Sequence, residues 1–186
     1  LTVKAQELSF VSPAIASGND LKEGSVYRFK NVTKGADALV TVKKFVNGAN
    51  LTLIDETGTG YDKAFQPKIY APAGSGTSYV EFEISFVKEN TSILRAIADF
   101  SATAIDIDGN SQLKEFAEIT ITGGCAKKFL AATVDIAVVD VHHGYKAFNV
   151  SGKEFSGIDE TALAGMFSVE KQGVVSYTVK YGAIKT

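Results

Sequence analysis

Asp106, Asp108 and Asn110, in the run Ala104-Ile-Asp-Ile-Asp-Gly-Asn110, are the residues whose types and spacing best suit chemistry. Side chains alternate faces along an extended strand, so two aspartates two positions apart point the same way. Aligned carboxylates repel unless a cation, a basic side chain or backbone donors lie between them. With Glu115 or Glu118 nearby, the corner offers hard oxygen ligands of the kind calcium takes. The spacing is not that of an EF-hand, which places its glycine sixth and its glutamate twelfth. Counted from Asp106, Gly109 is fourth and Ala117 is twelfth. A second reading is therefore equally open, in which Asp106 and Asp108 cap turn amides and pair with lysines such as Lys114. Asp37 and Glu23, each beside a glycine-containing turn ahead of a strand, are candidate donors from distant parts of the chain.

Other chemistries find less support. A glycosidase needs two carboxyls about 5–10 Å apart across a cleft, one with a raised pKa. Glu81 and Glu83 instead fall on the polar side of an alternating run, where solvation is expected. The chain has no tryptophan for sugar stacking, although Tyr61, Phe65, Tyr70 and Tyr79 are substitutes. His142 and His143 are adjacent and diverge from an extended backbone, which does not suit zinc. No G-x-S-x-G nucleophile elbow occurs. The glycines around Gly58 and Gly74 open no helix and so cradle no phosphate. Cys125 has no partner for an internal disulfide and no neighbour to activate it. A non-catalytic role is the expectation.

The elements that must hold this corner read as strands. Residues 98–106 and 116–122 flank it, each with one apolar face. Residues 26–32 and 38–45 are rich in β-branched and aromatic residues, and a turn at 46–48 leads into 51–55 as a hairpin partner. Residues 79–87 alternate most regularly, with Val80, Phe82, Ile84 and Phe86 on one face. Residues 3–11, 133–141 and 145–150 add further strands, and 160–170 with 174–181 form a terminal pair around Lys171-Gln-Gly173. Residues 92–98 are the one place where a helical turn fits. The pattern predicts an all-β, two-sheet antiparallel β-sandwich of jelly-roll or immunoglobulin-like type, with about eleven strands and little helix. The long loop 56–77 exceeds a bare connector, and its Tyr61, Phe65 and Tyr70 are expected to pack it over the sheets as a shaped patch.

The chain's 186 residues suit a single domain, with 45% hydrophobic and 22% charged residues. A net charge of −2 gives no field for nucleic acid or anionic lipid. No apolar run approaches the roughly 20 residues needed to span a bilayer, so membrane insertion is not expected. The opening Leu1-Thr-Val-Lys-Ala-Gln lacks signal-peptide features, and we expect the chain to be a fragment of a longer protein.

A family resemblance covers nearly the whole length. Residues 26–42, then Asn47-Gly-Ala-Asn-Leu51, Ala64-Phe-Gln-Pro67, Tyr79-Val-Glu-Phe82, Ala104-Ile-Asp-Ile-Asp-Gly109 and Glu115-Phe-Ala-Glu118 occur in this order. Gly157-Ile-Asp-Glu-Thr-Ala162, Met166-Phe-Ser-Val169 and residues 176–182 follow. The series resembles the extracellular β-sandwich domains of large bacterial surface and gliding-type adhesins, as in Bacteroidetes. The resemblance implies a secreted, cell-surface, calcium-using module flanked by neighbouring domains and engaging a peptide or glycan on another surface. It makes Asp37, Asp106 and Asp108 the metal ligands. Asn110 stands where another acid would be expected and is the weaker fourth. It also implies that Gln66 and Glu81 contribute to an acidic pocket or small-ligand site, beside the loop aromatics Tyr61 and Tyr70. The alternatives are a spacer domain of a surface filament and an accessory carbohydrate-binding domain.

Overall fold

Strict alternation of apolar and polar residues makes 76–88 the longest strand, and its apolar side defines the core. The structure, a computed structural model, describes residues 7–72, 74, 76–128 and 131–185. Among these, thirteen strands occur: β1 (Ala14–Ser17), β2 (Val26–Thr33), β3 (Ala36–Val46), β4 (Asn50–Leu53), β5 (Lys68–Tyr70), β6 (Gly76–Lys88), β7 (Ile97–Ala104), β8 (Leu113–Thr120), β9 (Ala126–Lys128), β10 (Ile136–Val141), β11 (Gly144–Asn149), β12 (Phe167–Val174) and β13 (Ser176–Lys185). The only helical element among them is a 3-10 turn at Leu163–Gly165. The protein is thus almost all β, with two strands more than expected.

One antiparallel sheet holds eight strands in the order β1-β2-β3-β6-β13-β8-β11-β10. A three-stranded sheet, β7-β12-β9, lies against its apolar face, and β4 and β5 make a separate pair. Val80, Phe82, Ile84 and Phe86 of β6 are fully buried there. The two layers meet through aromatic contacts: Phe100 of β7 lies 5.8 Å from Phe86 and 4.9 Å from Tyr177 of β13, ring to ring. Burying each such phenylalanine is worth about 1.5–3 kcal/mol. The opposite face of the large sheet meets water. Lys43 pairs with Glu83 at 2.9 Å and Lys180 with Glu118 at 2.6 Å, while the Lys146 ammonium sits 3.9 Å above the Phe116 ring.

Several local expectations are corrected. The terminal pair is not a hairpin: Lys171 and Gln172 are ladder residues of β12 opposite Phe100 and Asp99, not a turn. A single residue, Val175, separates β12 from β13, too short for a hairpin loop, and the chain there steps from the small sheet to the large one. There the Phe86 amide donates to the Val175 carbonyl at 2.8 Å. The segment expected to pair back on residues 38–45 instead pairs with β5, inside the long loop. Residues 92–98 form no helical turn, and Leu94 bridges to Val87 instead. Of the expected first strand, residues 7–11 are not strand and residues 3–6 lie outside the described residues.

Candidate functional site

Between the large sheet, strand β7 and the long loop lies a cavity of about 790 Å³, a volume within the range of small-ligand sites. Its floor comes from alternate residues of two neighbouring strands. On β13 these are Tyr177, Tyr181 and Ala183, and on β8 they are Glu115, Ala117 and Ile119. The register sets Glu115 opposite Ala183 and Ala117 opposite Tyr181. Phe100 to Ile107 form one wall and the loop residues Tyr61, Phe65, Gln66, Ile69 and Tyr70 another.

The loop is held down by one residue above all. Phe65 packs against Phe82 at 5.2 Å, Phe29 at 5.9 Å and Phe10 at 6.0 Å. Tyr61 is half-buried, whereas Tyr70, 56% exposed, stands at the rim and does not pin the loop. Gln66 is nearly buried and fully engaged: its Nε2 donates to the Tyr61 carbonyl at 2.5 Å and its Oε1 accepts from the Thr59 hydroxyl. It shapes the cavity wall by fixing the loop. Its amide also donates to Asp55, whose carboxyl burial pushes up to about 6.

At one end of the cavity the corner after β7 brings carboxyls together. Asp106 adopts φ +62°, a left-handed conformation that aspartate tolerates better than most residues. Regular strand alternation is therefore broken, yet Asp106 and Asp108 still meet. Burial, then the Asp108 charge and a shared hydrogen bond, push the Asp106 carboxyl up to about 6. Its Oδ1 is buried without a hydrogen-bond partner. Burial raises Asp108 as well, although its Oδ1 accepts from the Phe155 amide at 2.6 Å. Glu115 projects from the core-facing side of β8 into the cavity, where it is exposed to water and its Oε2 accepts from the Asp108 amide at 3.4 Å. Burial pushes it up to about 7, with the charges of Asp108 and Asp106 adding to the effect.

The corner is clamped from below by Asn149, 1% exposed at the end of β11. Its Nδ2 donates to the Ile107 and Lys153 carbonyls at 3.1 and 3.0 Å, and its Oδ1 accepts from the Gly152 amide at 2.8 Å. The same Oδ1 fills the space where a Cβ at position 109 would stand, so Gly109 is required by close approach.

The expected calcium set does not converge. Asp37, fully buried on β3, pairs with Arg28 at 2.8 Å and accepts from the Asn31 and Asn90 amides, both at 2.9 Å. Asn110 Oδ1 accepts from the Gln112 and Leu113 amides at 2.9 and 3.0 Å, and its Nδ2 donates to Glu154. No group of three or more His, Cys, Asp or Glu side chains among the described residues is placed to hold a metal ion. Calcium takes six to eight oxygens, and Asp37, Asp106, Asp108 and Asn110 do not supply them at one point. Glu81 is also away from the cavity, since Val80 and Phe82 face the core and Glu81 faces outward beside Lys180.

The cavity therefore gathers Tyr61, Gln66, Tyr70 and Asp106 from the expected residues, with Asp108 adjoining. Tyr177 and Tyr181 were not anticipated. Burial raises both phenols, Tyr181 to about 12, and no hydrogen bond from the described residues contributes. Glu115 had a usable signal: it shares a strand face with Leu113, Ala117 and Ile119, a charged residue at a core-facing position. No helix among the described residues is long and apolar enough to cross a membrane. Compared with known proteins, the chain matches no family model and no curated protein.

Proposed function

We propose that this domain is a non-catalytic binding module of a large bacterial cell-surface protein, built on a two-sheet β-sandwich of the jelly-roll or immunoglobulin-like kind. The observation that carries the reading is the 790 Å³ cavity between the sheets. A filament spacer has no need of a recess this size, partly open to solvent, that sets two carboxyls without ion-pair partners beside aromatic rings. A site that binds a ligand accounts for it. The loop with Tyr61, Phe65 and Tyr70 forms the adjustable side of the cavity and the sheets form the rigid side. The ligand on this reading is part of a peptide or glycan carried by another surface, and neighbouring domains of the same chain present the module outward. Calcium has no step in this reading.

The test is amide chemical-shift mapping while peptide and glycan libraries are added. Shifts clustered at Tyr61, Gln66, Phe100 and Tyr177 are the expected result. A library that leaves these amides unmoved while the protein stays folded would return the domain to a spacer role. A second reading has one feature behind it: two carboxyls, Asp106 pushed up to about 6 and Glu115 to about 7, line one cavity, as a hydrolase acid requires. Turnover of aryl glycosides that disappears in Glu115→Gln would select it.

A further inference from the structure

The cavity joins two chemical characters in one space. Phe100, 3% exposed, and the rings of Tyr177 and Tyr181 give an apolar, aromatic body. Asp106 and Glu115 give a negative end. None of the ion pairs among the described residues uses Asp106, Asp108 or Glu115. Every other acid at the cavity rim except Glu160 has a lysine: Glu7 with Lys63 at 3.0 Å and Glu56 with Lys68 at 2.6 Å. The negative end thus has no ion-pair partner among the described residues.

We propose that the cavity takes an organic ammonium ion with an apolar body, its head between Asp106 and Glu115 and its body against Phe100, Tyr177 and Tyr181. The inference rests on the cavity being the ligand site of the proposed module. An ammonium group carries three donors and no acceptor, which suits two carboxylates that no lysine or arginine pairs, Glu115 taking only the Asp108 amide at 3.4 Å. It also sits favourably over aromatic faces when removed from water. A calcium ion fits less well, since Asp108 Oδ1 and Asn110 Oδ1 already accept backbone amides. An anionic ligand would face two carboxylates. A neutral apolar ligand would cover both carboxylates without giving either a charged partner, which is costly. A lysine side chain or amino terminus of a peptide, or an amino sugar bearing a free amine, carries the required group.

Three probes of matched shape separate the outcomes: 2-phenylethylamine, 2-phenylethanol and 3-phenylpropanoate, titrated calorimetrically and by amide shifts near pH 8. The amine is expected to bind at least about tenfold more tightly than the alcohol, the margin of one charge-assisted hydrogen bond, with the carboxylate weakest. In Asp106→Asn/Glu115→Gln the amine and alcohol should bind alike, and retained alcohol binding shows that the cavity survives. Equal amine and alcohol binding to the unsubstituted protein overturns the ammonium inference and leaves the cavity as a ligand site. Tighter binding of the carboxylate also overturns it. If no probe binds at millimolar concentration, the ligand-site reading falls with it.

Discussion

Asp37 and Asp106 are both aspartates withdrawn from bulk water beside a turn, and their surroundings drive them in opposite directions. Burial alone would raise the pKa of each. At Asp37 the amides of Asn31 and Asn90 and the Arg28 guanidinium outweigh burial and hold the carboxyl below its ordinary value. At Asp106 the nearest group is another acid, and burial and repulsion act together. A carboxyl given three donors ties β2, β3 and the turn after β6 into one unit. A carboxyl whose nearest neighbour is another acid stores free energy that a bound cation can release.

The largest expected effect lies at the satisfied corner. Asp37→Ala leaves Arg28 and two amides without their acceptor and should cost about 3–5 kcal/mol in urea unfolding, whereas Asp106→Asn should cost nothing. Equal losses at the two sites would erase the distinction drawn between them.

Next is the wall that closes the cavity. Phe65→Ala should cost about 2–4 kcal/mol through lost packing and should speed proteolysis within residues 56–77, while Tyr70→Ala, at the rim, should change neither. Rapid cleavage of this loop in the unsubstituted protein would show that Phe65 does not secure it.

The pH dependence is smaller and has two flanks. Asp37, depressed when folded, contributes above its ordinary 3.8, and its contribution is lost as pH falls through the lower folded value. Asp106, Glu115 and Asp55 are raised, so their contribution is full below their ordinary values of 3.8, 4.5 and 3.8. It is lost as pH rises through about 6 for the two aspartates and about 7 for Glu115. The melting temperature should therefore fall between about pH 4 and 7 and level off above that. In Asp106→Asn/Glu115→Gln that decline should flatten, and at pH 8 the variant should melt higher, about 2–4 °C for each kcal/mol of relief. A decline unchanged in the variant would assign the alkaline flank to other groups.

The smallest effect is calcium's. With the Asn110 carboxamide oxygen and Asp108 Oδ1 already bound to amides, millimolar calcium against chelator should move the midpoint by less than about 1 °C. A rise of several degrees, lost in Asp108→Ala, would mean that the corner rearranges into a metal site.

The sequence by itself determined the strands whose side chains alternate strictly. Val80, Phe82, Ile84 and Phe86 had to share a face, and residues 26–32, 38–45 and the pair around His142-His143 followed from the same period of two. It also drew attention to Asp106 and Asp108, because two acids two apart next to a glycine are conspicuous locally. Tertiary structure decided which strands became neighbours. Period two fixes a face but not a partner, so nothing local told β12 to leave β13 for β7, or β4 to pair with β5. It decided, too, that Asp37 would meet Arg28, nine positions away but across the β2–β3 ladder, and that Asn149 would occupy the space left by Gly109. The cavity depended on tertiary structure entirely. Its floor joins β8 to β13, more than sixty positions apart, and its aromatic wall belongs to a sheet and a loop that only packing brings to that floor.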